Sequence, residues 1–134
     1  MAKTKVLMAD DEQDVVEVMA KHVSEAGYDS VIAFDGEDAW RKIQSELPDV
    51  VLLDINMPGM NGFEVLQALR QQNAIRKWIP VIIISARKEL KDVQKGFDLD
   101  ADHYITKPCT IQDVLKAVQL MVQLIPQHKS KNEA

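Results

Sequence analysis

Three aspartates, a serine and a lysine of this chain lie within two residues past the ends of short apolar runs. Asp10 and Asp11 follow Lys5–Ala9. Asp54 follows Val50–Leu53 and leads into Ile55-Asn56-Met57-Pro58-Gly59. Ser85 and Ala86 follow Val81–Ile84, and Lys107 and Pro108 follow His103–Thr106. Gathered carboxylates raise one another's pKa unless a cation lies between them. Oxygen ligands with room left for waters and a phosphate suit Mg²⁺. A lysine beside such a site balances charge and makes a point contact to a phosphate oxygen. An aspartate is already ionised at neutral pH and can itself be the nucleophile, giving an aspartyl-phosphate with no general base. Phosphoryl transfer then needs mainly in-line positioning and charge neutralisation, which Mg²⁺ and Lys107 would supply. Taken singly these residues mean less. An Asp-Asp pair after a strand commonly caps a helix, a lone Asp commonly makes a turn, and a lone Lys before Pro is commonly solvated. Their joint placement carries the weight.

What must position them is a repeating frame. Five apolar runs, Lys5–Ala9, Ser30–Phe34, Val50–Leu53, Val81–Ile84 and His103–Thr106, alternate with five amphipathic segments. Val50–Leu53 and Val81–Ile84 are apolar throughout, which suits central strands of a parallel sheet covered on both faces. Between them lie stripes at helical period. The first is Val15, Val16, Met19, Val23 and Ala26, ended by Gly27, which suits a left-handed C-cap. The second is Ala39, Trp40, Ile43 and Leu47, ended by Pro48. The third is Phe63, Val65, Leu66 and Leu69. A weaker fourth is Leu90, Val93 and Phe97. The longest runs from Ile111 through Val114, Leu115, Val118, Met121 and Val122 to Ile125, and Pro126 is expected to stop it. Met8, Met19 and Met121 read as core filler. Strand and helix alternating five times predict an α/β domain with a parallel sheet. Ligands of such open sheets bind at the carboxyl ends of the strands, where the acidic, hydroxyl and lysine side chains fall.

Composition sets bounds. The 134 residues, 46% hydrophobic and 28% charged, suit one domain, placed over residues 1–126 with a polar tail at 127–134. A net charge of −5 makes direct nucleic-acid binding a poor expectation. The one cysteine, Cys109, excludes an internal disulfide and reads as an inert thiol in a reducing compartment. No signal-peptide pattern and no membrane-length apolar run are present, so a cytoplasmic location is expected.

Four blocks carry a family resemblance. They are Met8-Ala9-Asp10-Asp11-Glu12, Leu53-Asp54-Ile55-Asn56-Met57-Pro58-Gly59-Met60-Asn61-Gly62, Ile84-Ser85-Ala86, and Tyr104-Ile105-Thr106-Lys107-Pro108. In this order and spacing the chain, from Lys5 to Ile125, resembles the receiver domains of two-component response regulators, especially the single-domain chemotaxis type. The resemblance implies a three-layer, doubly wound (βα)₅ fold with a five-stranded parallel sheet in the flavodoxin-like order 2-1-3-4-5; general knowledge of chemotaxis receivers supplies that order. It implies Asp54 as phosphoacceptor and Mg²⁺ as cofactor, held by Asp10, Asp11, Asp54 and the backbone carbonyl of Asn56. Ser85, Ala86 and Lys107 would contact the phosphoryl group, Ser85 and Tyr104 would form the switch, and Lys107–Pro108 would be a cis peptide. Asp100 stands where the family usually has glycine, and so would bear any positive φ there.

The same resemblance implies a signalling phosphoacceptor of a phosphorelay, with only intrinsic autophosphorylation and autodephosphorylation rather than enzyme activity. Its partners would be a sensor histidine kinase or histidine phosphotransfer protein and a downstream protein target, with no nucleic acid and no membrane. It would be a monomer or a weak phosphorylation-dependent dimer. Three other readings fit less well. A docking-only pseudo-receiver would not need the intact acidic set. An aspartyl-nucleophile phosphatase would want Asp where Asn56 stands. A flavin carrier would want a hydroxyl-rich loop where Asp10-Asp11-Glu12 stands.

Overall fold

The apolar runs become five strands whose pleat sends alternate residues to opposite faces. The structure, a computed structural model, describes residues 3–71, 75, 77–87 and 89–133, with side chains described as far as Pro126. Strands β1 (Lys5–Ala9), β2 (Asp29–Ala33), β3 (Val50–Leu53), β4 (Val81–Ser85) and β5 (His103–Thr106) alternate with five helices. These are α1 (Gln13–Glu25), α2 (Gly36–Glu46), α3 (Gly62–Gln71), α4 (Leu90–Asp98) and α5 (Ile111–Glu133). All strand pairs are parallel, and the order is β2-β1-β3-β4-β5, the flavodoxin-like order expected.

The two faces bury different halves of each strand. Val6, Met8, Val50, Leu52, Ile82 and Ile84 pack with Val16, Met19 and Val23 of α1 and Val114, Val118 and Met121 of α5. Leu7, Ala9, Val51, Leu53, Val81 and Ile83 pack with Ala39 and Ile43 of α2 and Phe63, Val65, Leu66 and Leu69 of α3. Two-sided burial is why β3 and β4 read as unbroken apolar runs. It also fixes register, because a one-residue slip would exchange the two cores. Met8, Met19 and Met121 are core residues as expected, and Trp40 packs half-buried against the second core.

Several expectations need correction. β2 starts and ends one residue earlier than Ser30–Phe34, and β4 extends to Ser85. Pro126 does not stop α5, which continues to Glu133. Proline's fixed φ is helical, so the cost is one lost hydrogen bond and crowding against the preceding turn, and a helix can absorb both. Val15 and Leu47 belong to apolar stripes by spacing yet are exposed, Leu47 at the left-handed end of α2 with φ 46°. The fourth stripe is not a core stripe: Leu90 and Phe97 are exposed, and Gly96 is the buried residue of α4. Gly27, with φ 102°, ends α1 as expected. Asp100 does adopt positive φ, 67°.

The amino end of β4 and β5 is fastened by Arg70. Its guanidinium donates to the carbonyls of Asp100 and Ile79 at 3.1 and 2.8 Å and to Asp102 Oδ2 at 2.8 Å. Asp102 Oδ2 also accepts the Val81 N–H at 2.9 Å. Trp78 lies half-buried beside this group.

Candidate functional site

Strands β1, β3 and β5 carry their chemistry one residue past their ends, β4 carries Ser85 as its last residue, and the backbone holds the residues past the ends in place. The Asp10 N–H donates to Ala33 O at 3.2 Å, the Asp54 N–H to Ala9 O at 3.0 Å, and the Lys107 N–H to Ser85 O at 2.8 Å. These bonds prolong the ladder by one step, so the side chains converge on one edge of the sheet. Carboxylate oxygens of Asp10, Asp11 and Asp54 lie within 4.8 Å of one another. Asp10 and Asp54 are 3% and 6% exposed, whereas Asp11 faces solvent at the rim.

The buried charges are supported in different ways. Asp10 Oδ1 accepts the Glu12 N–H at 2.9 Å, and its Oδ2 accepts Lys107 Nζ at 2.8 Å. Lys107 Nζ is 3.8 Å from Asp54 Oδ2. Burial opposes charge on Lys107, but the Asp10 hydrogen bond and the fields of Asp54, Asp10 and Glu12 outweigh it and raise the pKa. Asp54 is the group left in tension. Burial pushes its pKa up and Lys107 pulls it down; Asp10 and Asp11 push up again, and the Asn56 N–H pulls down. The result is about 6. One lysine does not balance three carboxylates, and the deficit is a hard-cation preference. An all-oxygen donor set open on the Asp11 side fits Mg²⁺, with Asp10, Asp11 and Asp54 as the residues that would hold it.

The remaining expected residues surround this pocket. Ser85 is fully buried, and its Oγ accepts the Arg87 N–H at 3.1 Å. Ala86 and Lys107 line a groove of about 550 Å³ beside the pocket, between α1 and the start of α5. The Lys107–Pro108 peptide is cis. Tyr104 is half-buried, its hydroxyl donating to Arg87 O at 2.5 Å. Burial raises that hydroxyl's pKa, against a hydrogen bond with Ser85. Cys109 stands at the groove; burial raises its thiol pKa, as suits an inert thiol.

Sequence reasoning missed two groups. Arg87 forks onto the Asn56 side chain, Nε and Nη2 both donating to Oδ1 at 3.1 and 2.8 Å. An arginine two residues past a strand carries no signal of what lies across the loop. The second group is a pair of glycines. A Cβ on Gly62 would lie 2.3 Å from Asp54 O, and a Cβ on Gly36 would lie 1.8 Å from Met60 O. Gly59 supplies the positive φ, 72°, between them. The loop carrying Asp54 is thus pressed between backbones.

This geometry has relatives. The family model described as the response regulator receiver domain matches residues 6–119. The chain is 34% identical over 133 residues to the alkaline phosphatase synthesis transcriptional regulatory protein PhoP of Bacillus subtilis, covering 96% of this chain and 54% of that protein. It spans about half the length of the curated relatives it matches. Among solved structures, the Francisella response regulator 1452 receiver domain is 33% identical with TM-score 0.83, covering 90% of this chain and 97% of that one. Vibrio cholerae chemotaxis protein CheY4 is 31% identical with TM-score 0.82, covering 90% and 99%. Sheet order, pocket composition and sequence agree, and the chain belongs to the response regulator receiver domain family.

Proposed function

We propose that Asp54 accepts a phosphoryl group from a phosphohistidine and that the resulting charge re-sorts the α4–β5–α5 face for a protein partner. The observation that carries this reading is the buried Asp54 carboxylate, with Asp10 and Asp11 beside it and Lys107 Nζ at 3.8 Å. In the transfer an Asp54 carboxylate oxygen attacks phosphorus. The phosphorus–nitrogen bond of the donor breaks, and the electron pair stays on the imidazole. Asp10, Asp11, Asp54 and the Asn56 carbonyl would hold Mg²⁺, which supplies charge neutralisation for the transferring oxygens. Lys107 leaves Asp10 for a phosphoryl oxygen, and the Ser85 hydroxyl and Ala86 N–H contact the same group. Movement of Ser85 disturbs the Ser85–Arg87–Tyr104 contacts, and Tyr104 carries that change to α4 and β5.

The donor is a sensor histidine kinase or a histidine phosphotransfer protein. The groove beside Lys107, with exposed Val15 and Val18 on its rim, gives it an apolar place to dock. The output is a protein contact and not nucleic acid, and the protein acts in the cytoplasm as a monomer or weak phosphorylation-dependent dimer. No helix among the described residues is long and apolar enough to cross a membrane. Its chemistry is that of a phosphoacceptor with intrinsic dephosphorylation and no turnover of an external substrate.

Intact mass after incubation with acetyl phosphate tests the reading. A single Mg²⁺-dependent phosphoryl adduct is expected in the native chain and none in Asp54→Asn. A folded native chain that takes up no phosphoryl group would sink it. Lys107→Ala removes a cation from among three carboxylates and should tighten Mg²⁺ roughly 3- to 10-fold, on the order of 1 kcal/mol. The adduct should form but fail to change the α4–β5–α5 face. Collapse of Mg²⁺ affinity in Lys107→Ala, read by calorimetric titration, would refute the role given to the lysine.

A further inference from the structure

Arg87 is bonded at four points to four parts of the fold. Its N–H donates to Ser85 Oγ, and its carbonyl accepts the Tyr104 hydroxyl. Its guanidinium donates twice to Asn56 Oδ1. Its Nη1 lies 3.8 Å from Asp92 Oδ1 in the first turn of α4. Because arginine has donors alone, the Asn56 atom that receives the fork must be the amide oxygen, and the orientation of that amide is settled by chemistry. A forked guanidinium restrains direction as well as distance, which a lysine in the same place would not.

We propose that Arg87 is a positioning residue that couples the loop after Asp54 to Tyr104. The fork on Asn56 holds the β4–α4 loop so that the Arg87 carbonyl stands where the Tyr104 hydroxyl docks. Asn56 and Tyr104 thereby communicate through one residue, although they sit on the loop after β3 and on the edge strand β5. Side chain and carbonyl of the same residue cannot move independently, so an event that shifts the Asn56 loop shifts the acceptor of Tyr104. The inference deepens the proposed function, since it names a route by which a change at Asp54 reaches the α4–β5–α5 face. Its test, however, does not depend on phosphoryl acceptance.

The chain has two tyrosines, Tyr28 and Tyr104. Labelling with 3-fluorotyrosine therefore gives two fluorine resonances, with Tyr28, packed beside α1 and α5, as an internal control. In the unphosphorylated chain, Asn56→Ala should move the Tyr104 resonance, lowering the docked-to-undocked ratio roughly 3- to 10-fold, the effect of losing one exposed charge-assisted fork. Tyr28 should not move. Arg87→Ala should move Tyr104 at least as far. In the Arg87→Ala background, adding Asn56→Ala should have no further effect, because the link is already cut. Arg87→Lys, which keeps charge without the fork, should behave as Arg87→Ala does. A Tyr104 resonance indifferent to Asn56→Ala would overturn the proposal. So would an Asn56→Ala effect that persists in Arg87→Ala, or native behaviour in Arg87→Lys. Equal movement of Tyr28 would mean a general change in packing and would count against it too.

Discussion

Replacing Asp54 with asparagine is expected to stabilise the metal-free domain at pH 7 by about 1–2 kcal/mol while abolishing phosphoryl acceptance. The carboxylate is 6% exposed, and Asp10 and Asp11 share its pocket. Its pKa is pushed up to about 6 from an ordinary 3.8, burial being the largest cause. A gap of about two units corresponds to about 3 kcal/mol at most, and water at the open Asp11 side screens part of it. The sign follows from which state gives up the proton first. The unfolded chain ionises Asp54 near 3.8 and the native domain near 6, so the native state loses stability as pH rises between those values and bears the full cost above them. Below about pH 3, well under the unfolded value, both states are protonated and the cost disappears. Urea unfolding in the presence of EDTA should thus show Asp54→Asn above the native chain at pH 7 and level with it near pH 3. Saturating Mg²⁺ should reverse the order at pH 7, because it stabilises the chain that binds it better. An asparagine variant less stable than the native chain at pH 7 without metal would mean that Asp54 is held by favourable contacts and not in tension.

Why the acidic set could be read from the sequence, and the clamp around it could not, has a physical reason. Strand ends are local facts. A buried parallel strand is an unbroken apolar run, and its end is where the run meets a polar residue, so Asp10, Asp54 and Lys107 were each placed by their own neighbours. Ser85 was placed the same way, although the strand includes it. Arg87, by contrast, is defined by Asn56, thirty-one positions earlier, and no local pattern holds that distance. Helical period had the same limit. It found the stripe of α3, all of which is buried, but gave Leu90 and Phe97 to a core that α4 meets only through Gly96. Spacing shows that a helix has an apolar face; which surface covers that face is set by the rest of the fold. At Pro126 local propensity pointed the wrong way, since a helix tolerates one missing donor when the turns on either side continue.

Gly36→Ala shows the same contrast with the sign reversed. By propensity alone, alanine in the first turn of α2 should stabilise by up to about 1 kcal/mol. The surroundings predict loss. An added Cβ would lie 1.8 Å from the Met60 carbonyl oxygen and 2.5 Å from its carbon, atoms of the backbone and not the free end of a side chain. Backbone cannot rotate away, so either α2 lifts from the sheet or the 54–62 loop retreats. Lifting α2 would strain the Asp35 cap, whose Oδ1 accepts the Asp38 N–H at 2.7 Å, and would open the core around Ala39 and Ile43. Retreat of the loop is blocked at its other end, where α3 begins against the Asp54 carbonyl at Gly62. Neither escape is cheap, and a loss of roughly 3 kcal/mol or more is expected, seen as a lower urea midpoint at unchanged slope. Because the displaced backbone is the one that carries Asp54, Mg²⁺ affinity should fall along with stability. A Gly36→Ala chain as stable as the native one, with native Mg²⁺ binding, would show that the loop has slack and that Asp54 is held by its own strand alone.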